Sequence, residues 1–181
     1  ECSLMAVCDG EFVLPLIAAR DYKQAYDQNR GPNTGGMGAF APVPDFTPDL
    51  QEYALRNLLE PTVRALAREG APFHGLLYAG LMLTKDGPKV LEFNARFGDP
   101  ETQAVLPLLE SDLVELVYTS LEGTLSKYKV KWSSKKSVCI SLVSGGYPGE
   151  YKKEKKITGI EEAVENPNVL VFHAGKSSMY F

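Results

Sequence analysis

The stretch Leu91-Glu92-Phe93-Asn94-Ala95-Arg96-Phe97-Gly98-Asp99-Pro100-Glu101 holds the residues best suited to chemistry. Side chains alternate along a strand, so Glu92 and Asn94 share one face while Leu91 and Phe93 take the other and anchor the strand in the core. Their Cα atoms then lie about 7 Å apart. Two hard oxygen ligands at that spacing can grip one or two divalent ions, and Mg²⁺ favours one or two carboxylates completed by phosphate oxygens and water. Arg96 adds a planar cation able to fork onto phosphate or an acyl phosphate. An isolated Glu-x-Asn also fits a solvated strand face with Arg96 in a salt bridge. The turn Phe97–Pro100 into a helix strengthens the first reading, because such a turn presents backbone N–H groups to anions. Asp99 and Glu101 fit substrate contacts and equally fit helix-start residues that complement the dipole.

A second set is Gly31-Pro32-Asn33-Thr34-Gly35-Gly36-Met37-Gly38. Its glycines allow close backbone approach to a ligand, and consecutive N–H groups can form an anion nest. Asn33 and Thr34 add side-chain hydrogen bonds. Glycine richness alone also fits a flexible loop. No Gly-Lys-Ser/Thr follows and no strand–Gly–helix unit surrounds it, so neither standard nucleotide loop is present. Upstream, Asp21 and Lys23 flank Tyr22; Lys23 can neutralise a phosphate or serve as an ordinary surface lysine.

The elements that position these residues follow from pattern. Ser3–Cys8, Asp9-Gly10 and Glu11–Ala18 predict a hairpin with a tight turn. Residues 21–44 read as a long polar connection. Thr47 caps a helix with Pro48 in its first turn, Pro61 predicts a kink or break, and Gly70 a stop. Gly75–Thr84 and Lys89–Phe93 predict a second hairpin. Helices are expected over Glu101–Leu109 and Asp112–Leu121. Lys127–Lys136 reads as a linker, Ser137–Ser144 as a buried-type strand, Glu161–Glu165 as a short helix, and Val169–Phe172 as the last strand. Hairpins with helices inserted between them predict an α+β class with an antiparallel sheet. The expected domains are 1–126 and 127–181.

The 181 residues carry a net charge of −4, with 44% hydrophobic and 23% charged. That is a globular composition, not a disordered one, and nucleic acid is not expected as a partner. The lysine-rich stretches 127–136 and 152–156 read as solvated loops. No apolar run is long enough to span a membrane. Three cysteines without CxxC spacing argue against a disulfide framework and for a reducing compartment; Cys2, Cys8 and Cys139 read as small core residues. His74 and His173 are too far apart in sequence to suggest a Cys/His zinc site. Glu1 is not Met, and both ends read as the edges of a fragment.

Together these motifs closely resemble the glycinamide ribonucleotide synthetase (phosphoribosylamine–glycine ligase) family of ATP-grasp enzymes. The resemblance rests on Gly31–Gly38, Gly75–Met82, Val90–Glu101, Ser111–Glu115, Gly145–Tyr151 and Phe172–Gly175, in the family's order and over nearly the whole chain. It implies the larger ATP-grasp lobe followed by the start of a small carboxy-terminal α/β domain. It implies a cytoplasmic ligase of purine biosynthesis, expected as a monomer, that joins glycine to 5-phosphoribosylamine through a glycyl phosphate while ATP becomes ADP and phosphate. Glu92 and Asn94 then match the ligands of Mg²⁺ or Mn²⁺, with two ions accommodated. Arg96 would face the transferring phosphoryl group as the catalytic residue. Asp21, Lys23, Pro32, Asn33, Thr34, Gly35, Gly36, Met37, Gly38, Asp99 and Glu101 would bind phosphoribosylamine and glycine. Glu1 would border the nucleotide, with Arg96. Tyr22 stands where the family usually has His, Gln24 where it usually has Arg, and Ala95 where Cys or Val is commoner. The family's amino-terminal domain and the small lobe over ATP are missing, and the last domain stops early, so the isolated chain is expected to lack full activity. Another carboxylate–amine ligase and a non-catalytic binding piece are the competing readings.

Overall fold

The computed structural model describes residues 1–175; residues 176–181, the end of the expected last domain, lie outside the described residues. The chain divides into two compact units, Glu1–Leu142 and Val143–Phe181.

The first unit is built on a four-stranded antiparallel sheet. Its strands are β1 (Cys2–Asp9), β2 (Val13–Pro15), β7 (His74–Thr84) and β8 (Gly87–Asn94), in the order β2-β1-β7-β8. β1 is buried along its whole length, which explains its nearly unbroken apolar sequence. Its two faces feed two cores. Leu4, Ala6 and Cys8 join Leu59, Val63, Leu77 and Leu81; Met5 and Val7 join Tyr78, Ala104, Val105, Leu108, Leu116 and Leu125. Each fully buried aliphatic side chain contributes about 1.5–3 kcal/mol. The predicted β1–β2 hairpin is present, closed by Asp9, whose Oδ1 accepts from the N–H of Glu11 (3.2 Å) and Phe12 (2.7 Å).

Several regions depart from expectation. The connection over 21–44 is not irregular. It contains β4 (Gln24–Tyr26) paired with β5 (Arg30–Asn33), and β6 (Gly38–Ala41) paired with β3 (Arg20–Asp21). These strands, two to four residues long, are too short for periodicity to reveal them. The helix begins on Thr47 as predicted, as α1 (Pro48–Ala54), and Pro61 does not break it. A π-helical stretch, Leu55–Leu59, leads into α2 (Glu60–Arg68). Pro61 falls in the first turn of α2, where the missing N–H is tolerated. Helix α3 (Glu101–Val105) yields to a 3₁₀ turn over Leu106–Leu108, because Pro107 cannot continue it. α4 (Leu113–Leu121) is capped by Asp112, which accepts from the N–H of Val114 and Glu115.

β9 (Ser137–Ile140) pairs with β6 but is not a buried strand. Val138 and Ile140 are both 72% exposed, since β9 is the edge of a three-stranded sheet. Within the lysine-rich stretch before it, Leu109 bridges to Trp132 and Ser133 N–H donates to the Leu108 carbonyl (2.8 Å). Cys139 is half-buried, whereas Cys2 and Cys8 are buried as expected.

The second unit carries a turn over Ser144–Gly149 and the helix α5 (Ile160–Val164). Val169–Phe172 forms no strand. Among the described residues no helix is long and apolar enough to cross a membrane. The architecture is α+β with antiparallel sheets.

Candidate functional site

Glu92 lies opposite Gly80 and Asn94 opposite Tyr78 in the β7–β8 ladder. Opposed residues of an antiparallel pair project to the same face, so Glu92 and Asn94 stand together, and Asn94 Nδ2 donates to Glu92 Oε1 at 3.1 Å. The expected placement of Leu91 and Phe93 in the core does not hold, as both are exposed. The register slips between Gly80 and Leu81, with Gly80 facing Glu92 and Leu81 facing Val90. Leu91 is therefore the extra residue of a bulge, which re-aims a side chain without disturbing its neighbours. Phe93 lies on β8, the sheet edge. Gly80 leaves room for Glu92: a Cβ there would come 3.2 Å from Glu92 Cγ.

Glu92 borders a cleft of about 170 Å³ lined also by Glu1, Ser3, Asp21, Lys23 and Tyr78. Four residues singled out from sequence thus meet in one hollow. Lys23 Nζ pairs with Asp21 Oδ2 at 2.8 Å. Burial pulls the lysine's pKa down, but the Asp21 hydrogen bond and charge, with Glu101 and Glu1, carry it above the ordinary lysine value. The cleft therefore offers three carboxylates and one fixed ammonium.

The glycine-rich segment is fastened from several sides. Thr34 N–H and Oγ1 both donate to the Lys23 carbonyl (2.7 and 2.8 Å), and Thr34 Oγ1 accepts from Gly36 N–H (3.0 Å). Met37 N–H donates to the Tyr22 carbonyl (2.7 Å). The amides of Thr34, Gly36 and Met37 are spent on these bonds and are not offered to an anion. On the other side Ser141 Oγ donates to the Gly36 carbonyl (2.9 Å) and Ser141 N–H to the Met37 carbonyl (3.0 Å). Gly36 has φ +128°, and a Cβ there would collide with the Pro100 ring. Glycine at this position lets the segment lie directly on the turn that follows β8. Pro32, Asn33 and Gly35 are exposed, and Gly38 is buried against β9.

Arg96 is exposed and donates Nη1 to the Phe97 carbonyl (3.0 Å). Asp99 is exposed and accepts from Gln103 Nε2 (2.7 Å). Glu101 differs from its expected role as a substrate contact. It is only 2% exposed, and its Oε1 accepts from Ser3 Oγ (2.8 Å) and Tyr78 OH (2.7 Å). Burial, with Glu101 as neighbour, raises the Tyr78 phenol well above its usual range. Sequence reading missed Ser3, Tyr78, Gly80 and Ser141. Two signals were available: a serine inside the apolar run of β1, and a glycine inside a strand, which often marks close approach. Gln24, noted as a departure, sits in β4 with a buried Oε1 that has no partner among the described residues.

A larger hollow of about 650 Å³ opens at the other end of β1, beside Asp9, Phe12 and His74. Its buried carboxylate is committed to structure. Asp9 Oδ2 accepts from Leu125 N–H (3.2 Å), in addition to the two amides on Oδ1.

Among the described residues no cluster of three or more His, Cys, Asp or Glu could hold a metal by itself. Glu92 and Asn94 supply two hard oxygens on one face beside an ammonium. That suits a divalent ion completed by phosphate oxygens and water, with the Asn94 amide turned to present Oδ1.

Comparison with known proteins gives the family. Residues 1–102 match the family model described as phosphoribosylglycinamide synthetase, ATP-grasp (A) domain. Residues 137–179 match the C domain of the same synthetase. A phosphoribosylamine–glycine ligase of Caldanaerobacter subterraneus is 53% identical over 98% of this chain and 42% of its own length. One from Halalkalibacterium halodurans is 50% identical over 97% of this chain and 40% of its own length. The crystal structure of phosphoribosylamine–glycine ligase from Thermotoga maritima superposes with a TM-score of 0.75 at 35% identity, covering 84% of this chain and 38% of that one. The chain therefore spans less than half the length of these relatives. With one model covering 1–102, over half of the chain, the chain belongs to the phosphoribosylglycinamide synthetase family.

Proposed function

We propose that this chain carries the metal-binding and substrate-binding part of an ATP-dependent ligase. The reaction joins glycine to 5-phosphoribosylamine, giving glycinamide ribonucleotide, ADP and phosphate in the cytoplasm. The observation that supports it is the shared face of Glu92 and Asn94 beside the Asp21–Lys23 pair in the same cleft. The names of the relatives point to the substrates.

A carboxylate is a poor electrophile, and its conversion to an acyl phosphate supplies a leaving group. The glycine carboxylate oxygen attacks the γ-phosphorus and ADP departs. The amine of phosphoribosylamine then attacks the acyl carbon and phosphate departs, with the amine proton lost to solvent or a base. The barrier is mainly one of charge and alignment. Bound Mg²⁺ or Mn²⁺ would neutralise phosphate charge and polarise the phosphoryl group. Glu92 and Asn94 would hold that ion. Arg96, exposed at the start of the turn, would fork onto the transferring phosphoryl oxygens. Lys23, held by Asp21, would meet an anionic substrate group. The segment 31–38 would present Pro32, Asn33 and Gly35 to substrate, with its buried amides keeping its shape. Glu1 would border the nucleotide, and Asp99 a substrate.

The test is ADP release by the complete polypeptide with phosphoribosylamine and Mg-ATP. Release is expected with glycine and lost when glycine is replaced by alanine, serine or bicarbonate. Equal release with another carboxylate would favour a different ligase of the same fold. Absence of nucleotide binding would favour a non-catalytic role.

A further inference from the structure

The segment 94–101 leaves the sheet at Asn94 and returns to it at Glu101, the first residue of α3. One residue closes both ends of this excursion. The Tyr78 backbone pairs with Asn94 in the ladder, and the Tyr78 hydroxyl donates to Glu101 Oε1 at 2.7 Å. Ser3 on β1 donates to the same oxygen at 2.8 Å, and the two hydroxyls are themselves 2.8 Å apart. All three residues are buried. The turn rests directly on this cluster. A Cβ on Gly98 would come 2.7 Å from Glu101 Oε2 and 2.9 Å from Tyr78 Cε2, and Gly98 N–H donates to Met5 Sδ at 3.5 Å. Gly98 also holds α3, since its carbonyl accepts from Thr102 N–H at 3.1 Å.

We propose that Tyr78, Ser3 and Glu101 are positioning residues that clamp the turn over 94–100, and so fix Asn94 and Arg96 relative to Glu92. A buried carboxylate is costly unless it is hydrogen-bonded, and a valine or leucine could fill the same space without that cost. A hydroxyl–carboxylate cluster instead fixes direction, because its bonds hold only over a narrow range of distance and angle. Glu92 stands on the regular ladder and needs no such help. Asn94 and Arg96 stand where the ladder ends. The clamp rests on the functional reading above only for its consequence in turnover.

Tyr78→Phe and Ser3→Ala in the complete polypeptide test it, with amide hydrogen exchange followed in the absence of nucleotide and metal. Losing one hydrogen bond to a charged group should speed exchange across 94–100 by about tenfold, with the rest of the sheet unaltered. Turnover should fall by about tenfold with the KM for glycine unchanged. Unaltered exchange across 94–100 in a folded variant overturns the clamp, as does an equal acceleration throughout the sheet, which would mark a merely structural cluster. Should Tyr78→Phe fail to fold, Ser3→Ala carries the same expectation. A wild-type protein without glycine-dependent ADP release would refute the ligase reading, and the exchange measurement would still decide the clamp.

Discussion

The two ends of β1 each bury a carboxylate, and they use it differently. At one end Asp9, 7% exposed, accepts from three backbone amides and ties the β1–β2 turn to the segment after α4. At the other Glu101, 2% exposed, accepts from two side-chain hydroxyls on the wall of the cleft that Glu92 borders. The hollow beside Asp9 is the larger, about 650 Å³ against about 170 Å³. Volume is a poor guide here. What marks the smaller cleft is convergence: an exposed carboxylate next to an amide, and an ammonium held by an aspartate whose side chain is buried.

The sharpest way to separate the two ends is by their most consequential side chains. Glu92→Ala should reduce turnover of the complete polypeptide by about 10²–10³-fold, on the scale of losing one preorganised charge-stabilising group. Its thermal unfolding should barely move, since exposed substitutions stay within about 0.5 kcal/mol. Steady-state kinetics at limiting Mg²⁺ check this, and an unchanged rate would remove Glu92 from the site. Asp9→Ala should do the reverse. Stripping a carboxylate from three amides costs about 3 kcal/mol of stability, read by urea unfolding, while KM for each substrate stays put in the folded protein.

Gly36→Ala probes the seam between the glycine-rich segment and the turn. Its φ of +128° and the Pro100 ring both oppose a side chain, so a loss of about 2 kcal/mol is expected. The KM for the substrates held by the segment should rise with it. Wild-type stability would contradict the close approach.

The smallest effect concerns β1 itself. Burial raises the Cys2 thiol to about 11 and the Cys8 thiol to about 12, from an ordinary 9.0. Folded values above unfolded ones mean that the contribution is complete below pH 9 and is lost as pH climbs toward 11–12. Urea midpoints should therefore fall over that range. They should fall less steeply when both cysteines are replaced by alanine. Equal slopes would contradict the buried-thiol account.

Much of this was legible in the residues. Both hairpins of the sheet followed from Asp9-Gly10 and from the break at Lys85–Gly87, and the shared face of Glu92 and Asn94 followed from a period of two. The bulge at Leu91 was not legible, because a register slip depends on what stands opposite, and Gly80 is eleven residues or more away in sequence. The short strands β3 to β6, two to four residues each, were hidden by their shortness and, in β5 and β6, by glycines that suggested a loop. Of the four only β6 has a distant partner, β9, about a hundred positions on; β4 pairs with β5 and β3 with β6. Glu101 read as a helix-start or substrate residue because nothing local reveals a serine and a tyrosine converging on it from β1 and β7. Long-range polar contacts of this kind leave little trace in pattern, and they are where the site is assembled.

The most direct measurement follows an oxygen atom. The complete polypeptide is supplied with glycine carrying oxygen-18 in its carboxylate, together with phosphoribosylamine and Mg-ATP. A glycyl phosphate route delivers a single labelled oxygen into each phosphate released. Phosphate that carries no label, from an enzyme turning over at full rate, would contradict the account.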